Sequence, residues 1–184
     1  HVLSNFDNNA LRQSKQQDPN QWFEEALCEA ASLFALKRMA ATWEVSPPYE
    51  EWKSYAPALR RYAEEMKRES HRTLPGGMTL ANWFGQNENA VRTNPYQRAN
   101  NEIVATRLLA LFEQYPDQWG AISYLNHDSK VAAADIREYL QRWYEYCPDT
   151  HKPFVQQVMA ELGVSDKETH QRLASAGSST TSGQ

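Results

Sequence analysis

The chain has 184 residues, 41% of them apolar and 11% aromatic, which suits one domain burying roughly 70% of its unfolded surface. A formal net charge of −4 and a pI near 5.8 exclude the broad basic footprint of a nucleic-acid-binding domain. No charge-free run of about 18 apolar residues offers a membrane span.

Residue 1 is His rather than Met, so a processed chain or a piece of a longer one is expected, and no targeting signal is visible in it. Residues 1–17 read as a short N-terminal segment, amphipathic over Val2, Leu3 and Phe6 and polar from Arg12 to Gln17. Asp18-Pro19 then gives an N-cap followed by Pro at the first helical position, with Gln21 placed to complete a capping box. The helix that follows is predicted to run to about Trp43, a length of ~37 Å. Pro47-Pro48 forces a turn, and Tyr49–Tyr55 is a short aromatic helical piece. Ala58–Arg72 resumes as an amphipathic helix with Leu59, Tyr62, Ala63 and Met66 inward, broken by Leu74-Pro75-Gly76-Gly77. The basic cluster from Lys67 to Arg72 is interleaved with Glu64, Glu65 and Glu69 and reads as a solvated face.

Thr79–Val91 is a weaker helix carrying Leu80, Trp83 and Phe84. Asn94-Pro95 repeats the cap-then-Pro signal before a helix to about Tyr115, whose apolar set from Ile103 to Phe112 covers most of its girth. Asp117 caps a short helix through Trp119, Ile122 and Leu125, and Val131–Tyr146 places Ile136, Tyr139, Leu140 and Trp143 at helical spacing. Asp149 or Thr150 caps the last helix, which ends at Gly163. No period-2 strand pattern and no repeat occurs. The expected fold is therefore all-α: about six or seven helices in a single domain over 18–164, arranged around a central apolar helix at 18–43. Residues 165–184, ending in the small polar run Ala174–Gln184, read as a disordered tail. Cys28 and Cys147 allow one disulfide or two free thiols, and the apolar setting of Cys28 favours a buried free thiol.

The chemistry concentrates in Trp22–Leu36. Apolar residues from Ala26 to Leu36 occupy nearly every side of this helix, yet Glu29 sits inside the run and Glu25 lies one turn earlier on the same face. Two stacked carboxylates on such a helix are costly unless a metal, a charge or several donors meet them. Glu24 is expected to face solvent.

The segment Trp22-Phe23-Glu24-Glu25-Ala26-Leu27 resembles the Trp-[Leu/Phe]-x-Glu-Gly-[Phe/Leu] segment of gluzincin zinc metallopeptidases. Ala26 stands where Gly is usual, and Glu24 where Asn or Ala is commoner. The resemblance implies that Glu25 is the third ligand of one zinc ion. Glu29, four residues on, stands where an acid hydrogen-bonds a zinc-bound His. It also gives His1-Val2-Leu3 a meaning, as the second His of an H-E-x-x-H motif with 23 residues between His1 and Glu25. The metal ligands implied are thus His1 and Glu25. The first His and the general-base Glu would lie upstream, so this chain alone would not be catalytic. A peptide or protein substrate, hydrolysis by metal-activated water and export from the cell are implied by the family alone. The alternative is a non-enzymatic helical interaction or structural domain whose Glu25 and Glu29 meet Arg or Lys.

His71, His127, His151 and His170 lack ligand spacing and read as surface residues. Tyr139, Trp143 and Tyr146 read as a core-facing helix stripe, and Gly76-Gly77 as a turn. Tyr96 and Arg98, by the same resemblance, could stand near a peptide carbonyl.

Overall fold

In the computed structural model, residues 1–5, 18–128 and 134–164 are described, so the tail at 165–184 lies outside them. These residues are all-α. Six α-helices follow in order: α1 Gln21–Val45, α2 Ala56–Lys67, α3 Leu80–Thr93, α4 Arg98–Gln114, α5 Ile136–Tyr146 and α6 Lys152–Glu161. Short 3-10 turns at Glu50–Tyr55, Ser70–Arg72, Pro75–Gly77 and Pro116–Tyr124 join them. No strand occurs among the described residues, and none of their helices is long and apolar enough to cross a membrane.

The helix ends follow local chemistry. Thr79 accepts the Asn82 N–H at the start of α3, and Asp135 Oδ1 accepts the Arg137 and Glu138 N–H groups at 2.8 and 3.0 Å to start α5. Residue 163 ends α6 with φ +68, a left-handed angle that glycine takes without cost. Val164 N–H then donates to Met159 O at 2.9 Å and Gly163 N–H to Ala160 O at 3.0 Å, the paired bonds of a Schellman ending. α1 departs from expectation. Its cap position is Asn20, and Asp18 instead accepts the Asn20 N–H at 2.8 Å. Gln21 reaches the Tyr96 hydroxyl at 2.8 Å, so the expected capping box does not form.

α1 packs lengthwise along α4 and α2, and α5 pairs with α6. Trp22 stacks on Phe84 at 5.2 Å between centroids, and Phe23 meets Tyr139 and Trp143 edge-on at 6.3 Å. Phe112 of α4 lies flat against Trp119 at 3.7 Å and touches Phe154 of α6. α4 is therefore as central as α1. Apolar residues were expected on nearly every side of α1, but Ser32, Ala35 and Arg38 form a solvent-facing stripe. Alanine caused that misreading: Ala26, Ala30 and Ala40 are buried while Ala35 and Ala41 are exposed. Tyr62, expected inward, is 53% exposed; Ala56 and Ala63 make the buried seam of α2, and their small side chains admit the neighbouring backbone.

Two expected outcomes follow from this packing. Phe112→Ala removes a fully buried ring and should cost about 3–5 kcal/mol in urea unfolding. Phe34→Ala, at the partly exposed rim against Trp119, should cost clearly less.

Arg137 of α5 grips both oxygens of Glu88 on α3 at 2.8 and 3.0 Å, which holds the Glu88 carboxyl below its ordinary 4.5. A depressed carboxyl contributes stability above its unfolded pKa and loses it as pH falls through the folded one. Unfolding of Glu88→Gln at pH 7 should show a deficit of about 0.5–1 kcal/mol. That deficit should close as the pH is lowered past the Glu88 titration; a constant gap would mean the pair contributes nothing through charge.

Candidate functional site

Three acids of α1 have three different surroundings. Glu24, expected in solvent, is 1% exposed. It shares its side of α1 with the Phe23 contact to α5, and three neutral donors replace its water. Tyr139 OH donates to Oε1 at 2.7 Å, Asn126 Nδ2 to Oε1 at 2.5 Å and Ser4 Oγ to Oε2 at 2.6 Å. Burial raises the Glu24 carboxyl above its ordinary value, and these hydrogen bonds oppose the rise. Burial, with Glu24 beside it, also lifts the Tyr139 phenol. Asn126 holds its place with a left-handed φ of +56.

The N-terminal residues lie against this acid. Asn5 Nδ2 donates to the carbonyls of Ser123 and Leu125 at 2.6 and 3.2 Å, which anchors the segment. His1 is thereby set at the start of α1. Its Nε2 stands 3.6 Å from Glu25 Oε1 and its Nδ1 4.0 Å from Glu24 Oε2. The structure thus brings His1 and Glu25 together, both partly exposed. Cys28, one turn beyond Glu24, is a free, half-buried thiol whose pKa burial raises.

Glu29 belongs to a different group. Its Oε1 receives Arg72 Nη2 at 2.6 Å. The Arg72 side chain has no exposed surface, although the Lys67–Arg72 cluster was expected to be solvated. The reason is that α2 stops at Lys67 and the Ser70–Arg72 turn carries Arg72 inward against α4. Arg72 also binds Glu69 and Glu102, each at 2.9 Å. Arg98 donates to Glu102 Oε1 at 2.5 Å, and His71 Nε2 contacts Glu102 Oε2. Burial pulls the Glu102 carboxyl upward, but the bonds from Arg98 and His71 and the Arg72 charge outweigh it, and the net shift is downward.

Glu69, His71 and Glu102 bring their ligand atoms within 4.8 Å of one another, close enough to hold a cation. Two guanidinium groups already occupy those carboxylates, and any cation there would have to compete with them. The remaining expectations resolve simply. His151 pairs with Gln118 and His127 lies over the Tyr146 ring, while His170 is outside the described residues. Tyr139 and Trp143 are core, but Tyr146 is 41% exposed. Tyr96 accepts from Gln21, and Arg98 serves Glu102. A groove of about 630 Å³ between α3, α4 and α6 is lined by residues such as Leu74, Met78, Leu111 and Arg107, and by none of the α1 acids.

No family model, curated protein or solved structure matches the chain. Glu24, Arg72 and Glu102 are the site residues that sequence reasoning missed. Only Glu102 carried a signal, an acid directly before the apolar run Ile103-Val104-Ala105.

Arg72→Met would leave three carboxylates from separate elements facing one another without their shared cation. It should cost on the order of 3–5 kcal/mol by urea unfolding. A loss under about 1 kcal/mol would show that Arg72 is solvated in solution.

Proposed function

We propose that the chain is the C-terminal helical part of a gluzincin-like zinc metallopeptidase. His1 is the second histidine of the zinc motif and Glu25 the third ligand. The observation that carries this reading is the 3.6 Å approach of His1 Nε2 to Glu25 Oε1 across 23 intervening residues. Imidazole and carboxylate are a donor pair that suits zinc, and both groups reach solvent, from which an ion could enter. Zinc, when bound, polarises a peptide carbonyl and activates a water for attack on it. The chain's own contribution is to hold the two ligands at the head of a rigid helix, with Asn5 and Ser4 pinning the His1 segment. Glu29, a turn beyond Glu25, gives Oε1 to Arg72, so a part in orienting the upstream histidine would fall to its other oxygen.

A catalytic zinc needs three protein ligands, so this chain should bind it weakly, and the protein carrying the upstream His-Glu should bind it tightly. In a zinc titration of that longer protein, Glu25→Gln should abolish most binding and Glu29→Gln should weaken it about 10–100-fold. Unchanged zinc affinity in Glu25→Gln would overturn the assignment.

The second reading is a non-enzymatic helical interaction domain. The Glu29–Arg72 bond favours it, because it satisfies one of the two α1 acids with an arginine and no metal. A parent reading frame without His-Glu before His1 would select it.

A further inference from the structure

α2 turns Ala56 and Ala63 inward against α1, and its opposite side is exposed. Arg61 and Glu65 lie two residues before and after Ala63, a helical rotation of about 200° each way, so both project from that outer side. The neighbouring cations are taken: Arg60 pairs with Glu44 of α1 at 2.5 Å, and Lys67 lies 3.9 Å from Glu113 of α4. Arg61 and Glu65 are exposed and make no ion pair among the described residues. They stand four residues apart with the base first, which is the weaker order for a pair within one helix. Tyr62, beside Arg61, is 53% exposed, and Tyr55, two turns earlier on the same flank, is 57% exposed. Exposed tyrosine is the kind of surface that interfaces collect. The order of these residues is also self-complementary. When a second copy of α2 is laid antiparallel on the first, with the two-fold axis level with Ala63, a residue before Ala63 meets the residue equally far after it. Arg61 of each copy then faces Glu65 of the other, so the contact closes on itself. A parallel pairing would set like charge against like.

We propose that the outer face of α2 is the contact surface for a second copy of this chain, joined antiparallel about Ala63 by two Arg61–Glu65 pairs. The two Tyr62 rings come side by side on one flank of the axis and supply the apolar part of the contact. A contact built on one 12-residue helix buries less than the roughly 1,600 Å² of a standard interface, so the dimer is weak and forms with rising concentration. The charges choose the partner and its direction more than they add affinity. This interface stands apart from the metal-binding reading above and does not depend on it.

The test is sedimentation equilibrium of the full chain at low salt, from about 10 μM to about 1 mM, the range in which weak interfaces dissociate. The unmutated chain should pass from monomer to dimer across that range, and added salt should weaken the dimer by screening the pairs. Arg61→Glu and Glu65→Arg each set like charges across the axis, and each should weaken self-association about tenfold or more. Mixed in equal amounts, the two variants regain opposite charges at both contacts and should associate with each other at least as well as the unmutated chain does with itself. Recovery in the mixture also shows that neither variant has lost its fold. A chain still monomeric at about 1 mM overturns the proposal, whatever else covers the face. So does a dimer indifferent to both substitutions, or a mixture that associates no better than its components.

Discussion

A guanidinium with no exposed surface cannot stay in a helical core unless carboxylates surround it, and the position of Arg72 sets much of the arrangement around it. Glu29 comes from α1, Glu69 from the stretch after α2 and Glu102 from α4, so one cation ties three separate parts of the chain. Arg98 then shares Glu102, which extends the network to the first turn of α4. Arg72 Nη1 finds no partner among the described residues, so the burial is not free of cost. The gain is geometric: Arg72 bridges α1 and α4 through Glu29 and Glu102.

The same helix buries a second acid by a different route. Glu24 is met by a hydroxyl, an amide and a phenol, none of them charged. Hydrogen bonds of this kind satisfy the oxygens but do not cancel the charge, which is why burial still raises the Glu24 carboxyl while Glu102, among arginines, is lowered. Consecutive residues on a helix point about 100° apart, so Glu24 turns into the core and Glu25 to its edge. His1 stands between these two acids, and both ring nitrogens therefore have a carboxylate within reach.

The fold class and most helix ends were legible because they depend on local chemistry. The start of α3 at Thr79, the turn at Pro47-Pro48 and the stop at Gly163 all act within a few residues. The Asp135 cap was not read from the sequence, which placed the start of that helix at Val131, outside the described residues. The face of α1 was not legible. Alanine is compatible with core and surface alike, and a run containing Ala26, Ala30, Ala31 and Ala35 carries no phase of its own. Glu24 was expected in solvent, when it is the most buried of the three acids. Arg72 was hidden for another reason. Its partners lie 43 residues earlier and 30 later, and the three surrounding acids that made its cluster look solvated include Glu69, which helps to bury it.

The two histidine–carboxylate groups of this chain differ in the charges that surround them, and that difference bears on which could take a metal. At His71, the carboxylates of Glu69 and Glu102 are already bonded to Arg72 and Arg98, so a cation would meet like charge and would have to displace bonds that hold α1 to α4. At His1, the contacts that fix Glu24 come from neutral donors, and Glu25 faces the imidazole at the protein surface. The His1 ammonium lies 3.4 Å from Cys28 Sγ and opposes the rise of the Glu24 carboxyl, so one positive group already stands beside these acids. The arginine network and the histidine thus divide the acids of α1 between them: Glu29 joins the helices through Arg72, and Glu24 and Glu25 lie on either side of the His1 ring nitrogens.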